Sequence, residues 1–276
     1  MRNLNVLILI AVCSLTSFAQ NEVGGIGSTA IKVSYAYHGF TLRGYEIDRP
    51  MILVADTRKS KFYNPMTNWI DSINSTPEGK AKYEAMQPKV HTSESMRGMP
   101  ARWEKMYVEK NRIDNFVKEY DTIGDERYYS KEPIPEISWV ICDSTKTILG
   151  YECMEAMADF RGRHWTVFFA PEIPLSEGPW KLSGLPGLIL EAKESCGQYS
   201  YTADAIQKIP GEVPPVYQEN LYEPIDRKEM LKFKREFTEN FGAIITAQTS
   251  GKNLRPSQFK SLQLKADLDF LETDYR

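Results

Sequence analysis

The chain has 276 residues, with 34 Lys and Arg against 37 Asp and Glu, and 42% of it is hydrophobic. A small acidic excess excludes the basic footprint that nucleic-acid binding requires. The length suits one large or two small domains whose core needs no covalent staples, and no stretch past the N-terminus approaches the ~20 apolar residues of a membrane-spanning helix.

The N-terminus reads as an export signal. Arg2 supplies a positive start, Leu4 to Leu15 is an apolar run too short to span a bilayer, and Ser17-Phe18-Ala19 places small residues where a signal peptidase cuts. This predicts a signal peptide over residues 1–19, cleaved after Ala19, and a protein of the periplasm or associated with the outer membrane. Val12 before Cys13 is larger than a lipoprotein signal accepts, which favours soluble export over a lipid anchor. Cleavage leaves 257 of the 276 residues; Arg2 is the only charge removed, so 33 of the 34 basic residues remain against 37 acids.

From Ile31 to Tyr37 apolar and polar residues alternate with period two, the mark of a half-buried strand. Met51 to Ala55 and Ser60 to Tyr63 read as the next two strands. Asn64-Pro65 then breaks the pattern, and Thr67 is a candidate cap for a short helix carrying Trp69, Ile70 and Ile73. Thr76-Pro77-Glu78 is a stronger helix start, with a cap, a proline at the first helical position and an acid in the first turn; that helix should end near Gln87. Strands resume at Met106, at Phe116 to Tyr120 and at Arg127 to Tyr129, separated by turn formers at Asn111 and Gly124-Asp125.

Two β-rich runs, Ile137 to Cys142 and Thr147 to Cys153, flank the polar residues Asp143 to Lys146 and read as a hairpin turning there. His164 to Phe169 has the composition of a buried strand, and Leu188 to Ala192 with Gln198 to Thr202 form another pair around Cys196-Gly197. Pro210 to Pro224 is a proline-rich link. Asp226 can cap a helix bearing Met230, Phe233, Phe237 and Phe241, and the remainder after Gly251 is polar. The domain reading is signal peptide 1–19, a β-rich unit over 20–209 with a helical insertion at about 64–88, and a link, helix and polar tail over 210–276.

The least ordinary stretch is GPWKLSGLPGLIL, from Gly178 to Leu190. A phosphate loop would need Gly-Lys-Ser/Thr opening a helix, and here Gly187 is followed by a strand-like run. The glycines and prolines instead read as structural turns at Gly178, Pro179, Gly184 and Gly187, with Leu185 to Leu188 in the type II pattern that asks for a positive φ at Gly187. Trp180, Leu182, Leu185 and Pro186 are the candidate binding residues. They either present an apolar surface to a ligand or fold over the sheet and plug its own core; a plug is favoured, because contiguous exposed apolar patches are uncommon.

Among chemistry-bearing residues, His-Glu-x-x-His and Gly-x-Ser-x-Gly are absent. His91, Met96 and Met99, with Met106 nearby, form a soft donor set suited to copper(I), and Cys153, Met154, Met157 and His164 form a second; methionine is also a routine core filler. Three cysteines remain after signal cleavage, at Cys142, Cys153 and Cys196, so at most one internal disulfide forms; Cys153 with Cys196 is the pairing expected if their segments are neighbouring strands. A Cys153–His164 nucleophilic pair is conceivable. Of the 15 tyrosines, Tyr35, Tyr37, Tyr45, Tyr63, Tyr128, Tyr129, Tyr199 and Tyr201 fall mostly on strand-like segments, where they either pack or line a groove on a concave face.

The run Gly184 to Ile189, GLPGLI, resembles the signature of the GLPGLI family of exported Gram-negative envelope proteins. The similarity extends through Trp139, Lys146 to Cys153, Ala156, Arg161 to Arg163, Trp165 and Gly178 to Lys181, covering about residues 137–206; members often place a second tryptophan near Phe168, which this chain lacks. The resemblance implies a predominantly β envelope protein with an accessory or binding role at an outer-membrane receptor or transporter, and it carries over no reaction.

The sequence thus predicts a mainly β (α+β) fold: a large curved antiparallel sheet or partly closed barrel with a helical insertion and a C-terminal helix. Its expected role is to bind a hydrophobic or peptide ligand without a cofactor. The alternatives are an envelope hydrolase with an unrecognised site and a copper(I)-binding protein.

Overall fold

The computed structural model describes residues 29–88, 100–102, 104–248 and 264–276. The export signal and the His91, Met96 and Met99 set lie outside these residues.

The fold is mainly β, organised as one open sheet of twelve strands. They are β1 (Thr29–Phe40), β2 (Glu46–Ala55), β3 (Lys59–Tyr63), β4 (Tyr107–Asn111), β5 (Phe116–Ile123), β6 (Glu126–Glu132), β7 (Val140–Ile148), β8 (Tyr151–Phe160), β9 (Arg163–Ala170), β10 (Leu188–Glu194), β11 (Tyr199–Pro210) and β12 (Glu223–Pro224). Two meanders meet at β1: β1 to β6 run one way, β11 back to β7 run the other, and β1 pairs with both β2 and β11. All pairings are antiparallel except β12, which adds parallel to β6 at one edge. β7 is the other edge.

Helix α1 (Pro65–Ile73) and helix α2 (Pro77–Met86) form the expected insertion. Thr76 caps α2 as its sequence predicts. The cap of α1 is Asn64, not Thr67: the Asn64 side chain accepts from the backbone N–H groups of Met66 and Thr67, and Pro65 opens the helix, so the apparent breaker is the start signal. Helix α3 (Arg227–Gln248) is capped by Asp226, which accepts from the N–H groups of Lys228 and Glu229.

The β7–β8 hairpin also differs from its sequence reading. The turn is Leu149-Gly150, with φ of +52° and +85°, and the polar residues near Asp143 belong to a strand whose register slips between Ile141 and Thr145. An irregular strand at an exposed sheet edge has the composition of a loop, so its residue pattern resembles that of a turn.

Both faces of the sheet are covered. One carries the main core, including Val33, Tyr35, Leu53, Phe62, Val108, Trp165, Val167 and Phe169. The other carries a smaller cluster of Ile52, Val54, Tyr63, Tyr107 and Tyr120, sealed by Val216 and Tyr222 of the proline-rich link. The sheet curves so that one loop, residues 171–187 between β9 and β10, reaches both meanders across the main-core face. Glu177 in that loop bonds Lys110 of β4 at 2.8 Å, while Lys181 reaches Glu119 of β5 at 2.6 Å.

Candidate functional site

The 171–187 loop is a plug. Trp180 is 1% exposed and packs against the rings of Phe160 and Trp165, with centroids 5.5 and 5.9 Å away, and Leu182 and Leu185 are buried beside it. Of the four candidate binding residues only Pro186 reaches the surface.

The glycines serve geometry, in a different distribution from the type II reading. Gly184 takes the positive φ, +98°, whereas Leu185 to Gly187 is a bend in which Gly187 needs close approach instead. A Cβ on Gly187 would lie 2.4 Å from the Ala170 carbonyl oxygen, and one on Gly178 would lie 2.9 Å from Ile189. Trp180 itself adopts φ +53°, a conformation that side-chain-bearing residues seldom take. The Tyr35 hydroxyl donates to the Ile189 carbonyl at 2.6 Å and the Trp139 indole N–H to the Ser183 carbonyl at 2.9 Å, so the signature run is fastened at both of its ends.

A buried ionic hub anchors the plug. Lys181 Nζ contacts Glu119 at 2.6 Å, Glu132 at 3.3 Å and Glu272 at 2.5 Å. Burial alone would lower the Lys181 pKa, but the three carboxylates more than reverse that and hold it above its ordinary value. Arg227 clasps Asp274 with two hydrogen bonds of 2.7 and 2.8 Å and also bonds Glu272, while Arg161 takes Glu132 at 2.6 Å. Burial would raise Glu272, yet Lys181, Arg227 and Arg161 together hold it below the usual carboxylate range. The tail expected to be merely polar therefore carries part of the interior.

Beside Trp180 lies a cavity of about 390 Å³. Its walls come from β1, β2, β5, β11, α3 and the 270–272 segment of the tail. Tyr37, Tyr199 and Tyr201 make an aromatic wall, with Tyr37 stacked on Tyr201 at 5.1 Å and on Tyr199 at 6.3 Å. Phe237, Phe241 and Phe270 also line the cavity. Desolvation pushes the Tyr199 hydroxyl up to about 12 and raises those of Tyr37 and Tyr201 well above their ordinary value, so all three are neutral at physiological pH.

Polar groups enter this lining at few points. Lys234 on α3 is engaged by Asp121 at 2.5 Å, and the Arg43 guanidinium lies over the Phe241 ring at 4.2 Å. Glu104 is enclosed by protein but keeps part of its surface open into the cavity. Burial raises its pKa to about 7, against the charges of Lys234 and Arg49 and a hydrogen bond from the Met106 N–H. Nothing in the sequence marks Glu104, a lone acid in a stretch without pattern.

Several expected groupings are not formed. Cys142, Cys153 and Cys196 are all free thiols: β9 separates Cys153 on β8 from β10, and Cys196 sits exposed in the β10–β11 turn, so the expected disulfide partners are not neighbours. His164 is exposed and bonded to Asp159, which pairs with it across β8 and β9. Cys153 lies six residues further along β8, roughly 20 Å away at the strand rise, so neither a Cys–His pair nor the second soft metal set assembles. His38, Glu46 and Asp48 do place ligand atoms within 4.8 Å of one another on β1 and β2, but as an open surface cluster of the kind that ordinary ion pairs make. Among the described residues no helix is long and apolar enough to cross a membrane.

Comparison with known proteins adds two findings. A family described as a protein of unknown function, Porph_ging, matches residues 161–191, which is β9, the whole plug and the first half of β10. Two crystal structures of PNGF-II, in space groups C2 and P21, share the fold at 15% identity, with TM-scores of 0.51 and 0.53 over 76% of this chain. The present chain spans about a third of their length, 34%. No curated protein matches the chain.

Proposed function

We propose that this is an exported envelope protein that acts by binding a small ligand with an apolar or aromatic body in the cavity beside Trp180. The observation that carries the reading is the cavity itself. About 390 Å³ falls within the range of small-molecule sites, and its lining is mainly apolar and aromatic with a few convergent polar groups. The concave face was otherwise available for packing: the plug fills it with Trp180, Leu182 and Leu185, yet stops short of the wall made by Tyr37, Tyr199 and Tyr201.

The N-terminal pattern and the GLPGLI run support export and an accessory role at an outer-membrane receptor or transporter. In that setting the plug is a rigid partition that shapes the cavity, rather than a contact surface. Its exposed residues, Pro171, Glu172, Pro174, Ser176, Gly184 and Pro186, are what it offers to a partner protein.

Saturable uptake of the neutral apolar dye Nile red tests the reading. Fluorescence enhancement should saturate near one equivalent and should be lost in Thr238→Phe, which projects a ring into the cavity from α3, with the melting temperature retained. Absence of saturable enhancement in the wild type, or its persistence in the filled variant, would remove the cavity as the site.

A further inference from the structure

We infer that the ligand is an organic cation, an apolar or aromatic body bearing a primary ammonium group, and that Glu104 is the carboxylate that receives the charged end. This rests on the cavity being a binding site and adds the chemical class of its occupant.

The argument is one of unspent charge. Buried ionised groups are stable only when paired. The charged groups around the cavity are matched almost throughout: Lys234 by Asp121, Glu119 and Glu272 by Lys181, and Glu272 and Asp274 by Arg227. Arg43, the other cation of the lining, lies against Phe241, and its buried Nε makes no hydrogen bond among the described residues. Glu104 receives only the Met106 N–H and the longer-range fields of Lys234 and Arg49. It is an acceptor enclosed in the wall of an empty volume, with no contact partner of opposite charge among the described residues.

The surrounding rings complete the case. Tyr37, Tyr199, Tyr201 and Trp180 line the same volume, and aromatic rings attract a desolvated cation by about 2 kcal/mol or more. An anionic ligand would meet Glu104, Glu119 and Glu272, with Lys234 already taken by Asp121 and only Arg43 left to receive it. A neutral ligand would leave the Glu104 carboxylate with no contact partner of opposite charge among the described residues. A cation satisfies the carboxylate and the rings together.

The groups facing Glu104 are Lys234 on α3, Arg49 on β2, Asp121 and Glu119 on β5, Tyr37 on β1, and Tyr199 and Tyr201 on β11. The tyrosines are neutral and Lys234 is charged across the physiological range; burial raises Glu119 as well, against the Lys181 ammonium in contact with it, and proton uptake near neutrality is assigned to Glu104, which has no such contact among the described residues. Between pH 6 and pH 8 its ionised fraction rises about tenfold for a pKa of about 7. Cation affinity should therefore rise with pH over that interval, while the affinity of a neutral analogue stays level.

The test uses three probes of one chain length, octylamine, octanol and octanoate, titrated against the purified protein by calorimetry and by displacement of Nile red. At pH 8 octylamine should bind at least tenfold more tightly than octanol, and octanoate least. In Glu104→Gln the amine should fall to within threefold of octanol, with octanol binding kept, which also shows that the variant is folded. In the wild type the amine advantage should shrink about tenfold at pH 6. If octanol or octanoate equals the amine, or the advantage survives in Glu104→Gln or is level with pH, the charge assignment is wrong while the cavity stands. If none of the three binds and Nile red also fails, the cavity reading itself is overturned.

Discussion

Lys181 Nζ lies 2.5 Å from Glu272 Oε1, and both groups are almost wholly buried. This contact joins the middle of the plug to the C-terminal tail, 91 residues away in sequence. Glu119 and Glu132 bring β5 and β6 to the same nitrogen, so one lysine couples the loop, two strands and the tail.

Replacing Lys181 with Met should therefore be far more damaging than removing a surface charge. It leaves Glu119 with no other ion pair among the described residues, while Glu132 and Glu272 keep Arg161 and Arg227, and breaking one side of a buried ion pair typically costs about 3–5 kcal/mol. Chemical denaturation of Lys181→Met should show a loss of that order. The double variant Lys181→Met/Glu119→Gln should recover part of it, because the orphaned charge is gone. A loss below about 1 kcal/mol in the single variant would mean that water enters the hub and screens it.

The signature run makes a prediction about order among neighbours. Gly187→Ala must push a methyl against the Ala170 backbone, where β9 and β10 pair, and overpacking of this kind costs about 1–3 kcal/mol. Gly184→Ala keeps its space but must hold φ +98°, at a cost of about 1–3 kcal/mol, and nearer the lower end because the residue is exposed. Pro186→Ala, at an exposed position, should stay within about 0.5 kcal/mol. Melting temperatures in the order Pro186 variant, Gly184 variant, Gly187 variant, from highest to lowest, would agree. A Gly187 variant as stable as the wild type would contradict the close approach.

The strands were legible because period-two alternation in β1 and the β-branched runs of β2, β9 and β10 report burial directly. The plug was legible too, since Trp180 and Leu185 had no reason to be exposed together. What misled was the edge strand β7, whose Asp143 to Lys146 have loop composition because one whole side of that strand faces solvent. The left-handed Leu149-Gly150 turn carries none of the usual Asn-Gly or Asp-Gly signal. The cavity was half visible: Tyr37, Tyr199 and Tyr201 stood on predicted strands as a possible groove. Glu104 was invisible, because its significance depends on β1, β2, β5, β11 and α3 converging around it, and that convergence comes from strand order and not from local pattern.

Lys61 gives the clearest pH test of the sheet's other face. It is fully buried on β3, donates to the Asn68 side chain at 2.7 Å and to the Pro215 carbonyl at 2.5 Å, and lies within 5.1 Å of the ring centroids of Tyr63, Tyr107 and Tyr217. It thereby ties α1 and the proline-rich link to the sheet. Burial lowers its pKa from 10.5 to about 7, with Asp71 and Glu109 offsetting part of the shift. Below pH 7 the folded and unfolded chains both hold the proton, and the cost of charging a buried amine is present in full. Between pH 7 and 10.5 the unfolded chain binds the proton more tightly, so stability rises with pH by up to about 1.4 kcal/mol per pH unit. Above that window both forms are neutral and the dependence ends. Lys61→Met removes this titration, while Tyr63, with a pKa near 12, stays outside the window. The stability of the wild type relative to Lys61→Met, measured by urea denaturation from pH 6 to 10, should be level up to pH 7. It should then improve by a few kcal/mol by pH 10. A difference that is level throughout would show that Lys61 keeps an ordinary pKa, and that water or a carboxylate reaches it through the seal formed by the proline-rich link.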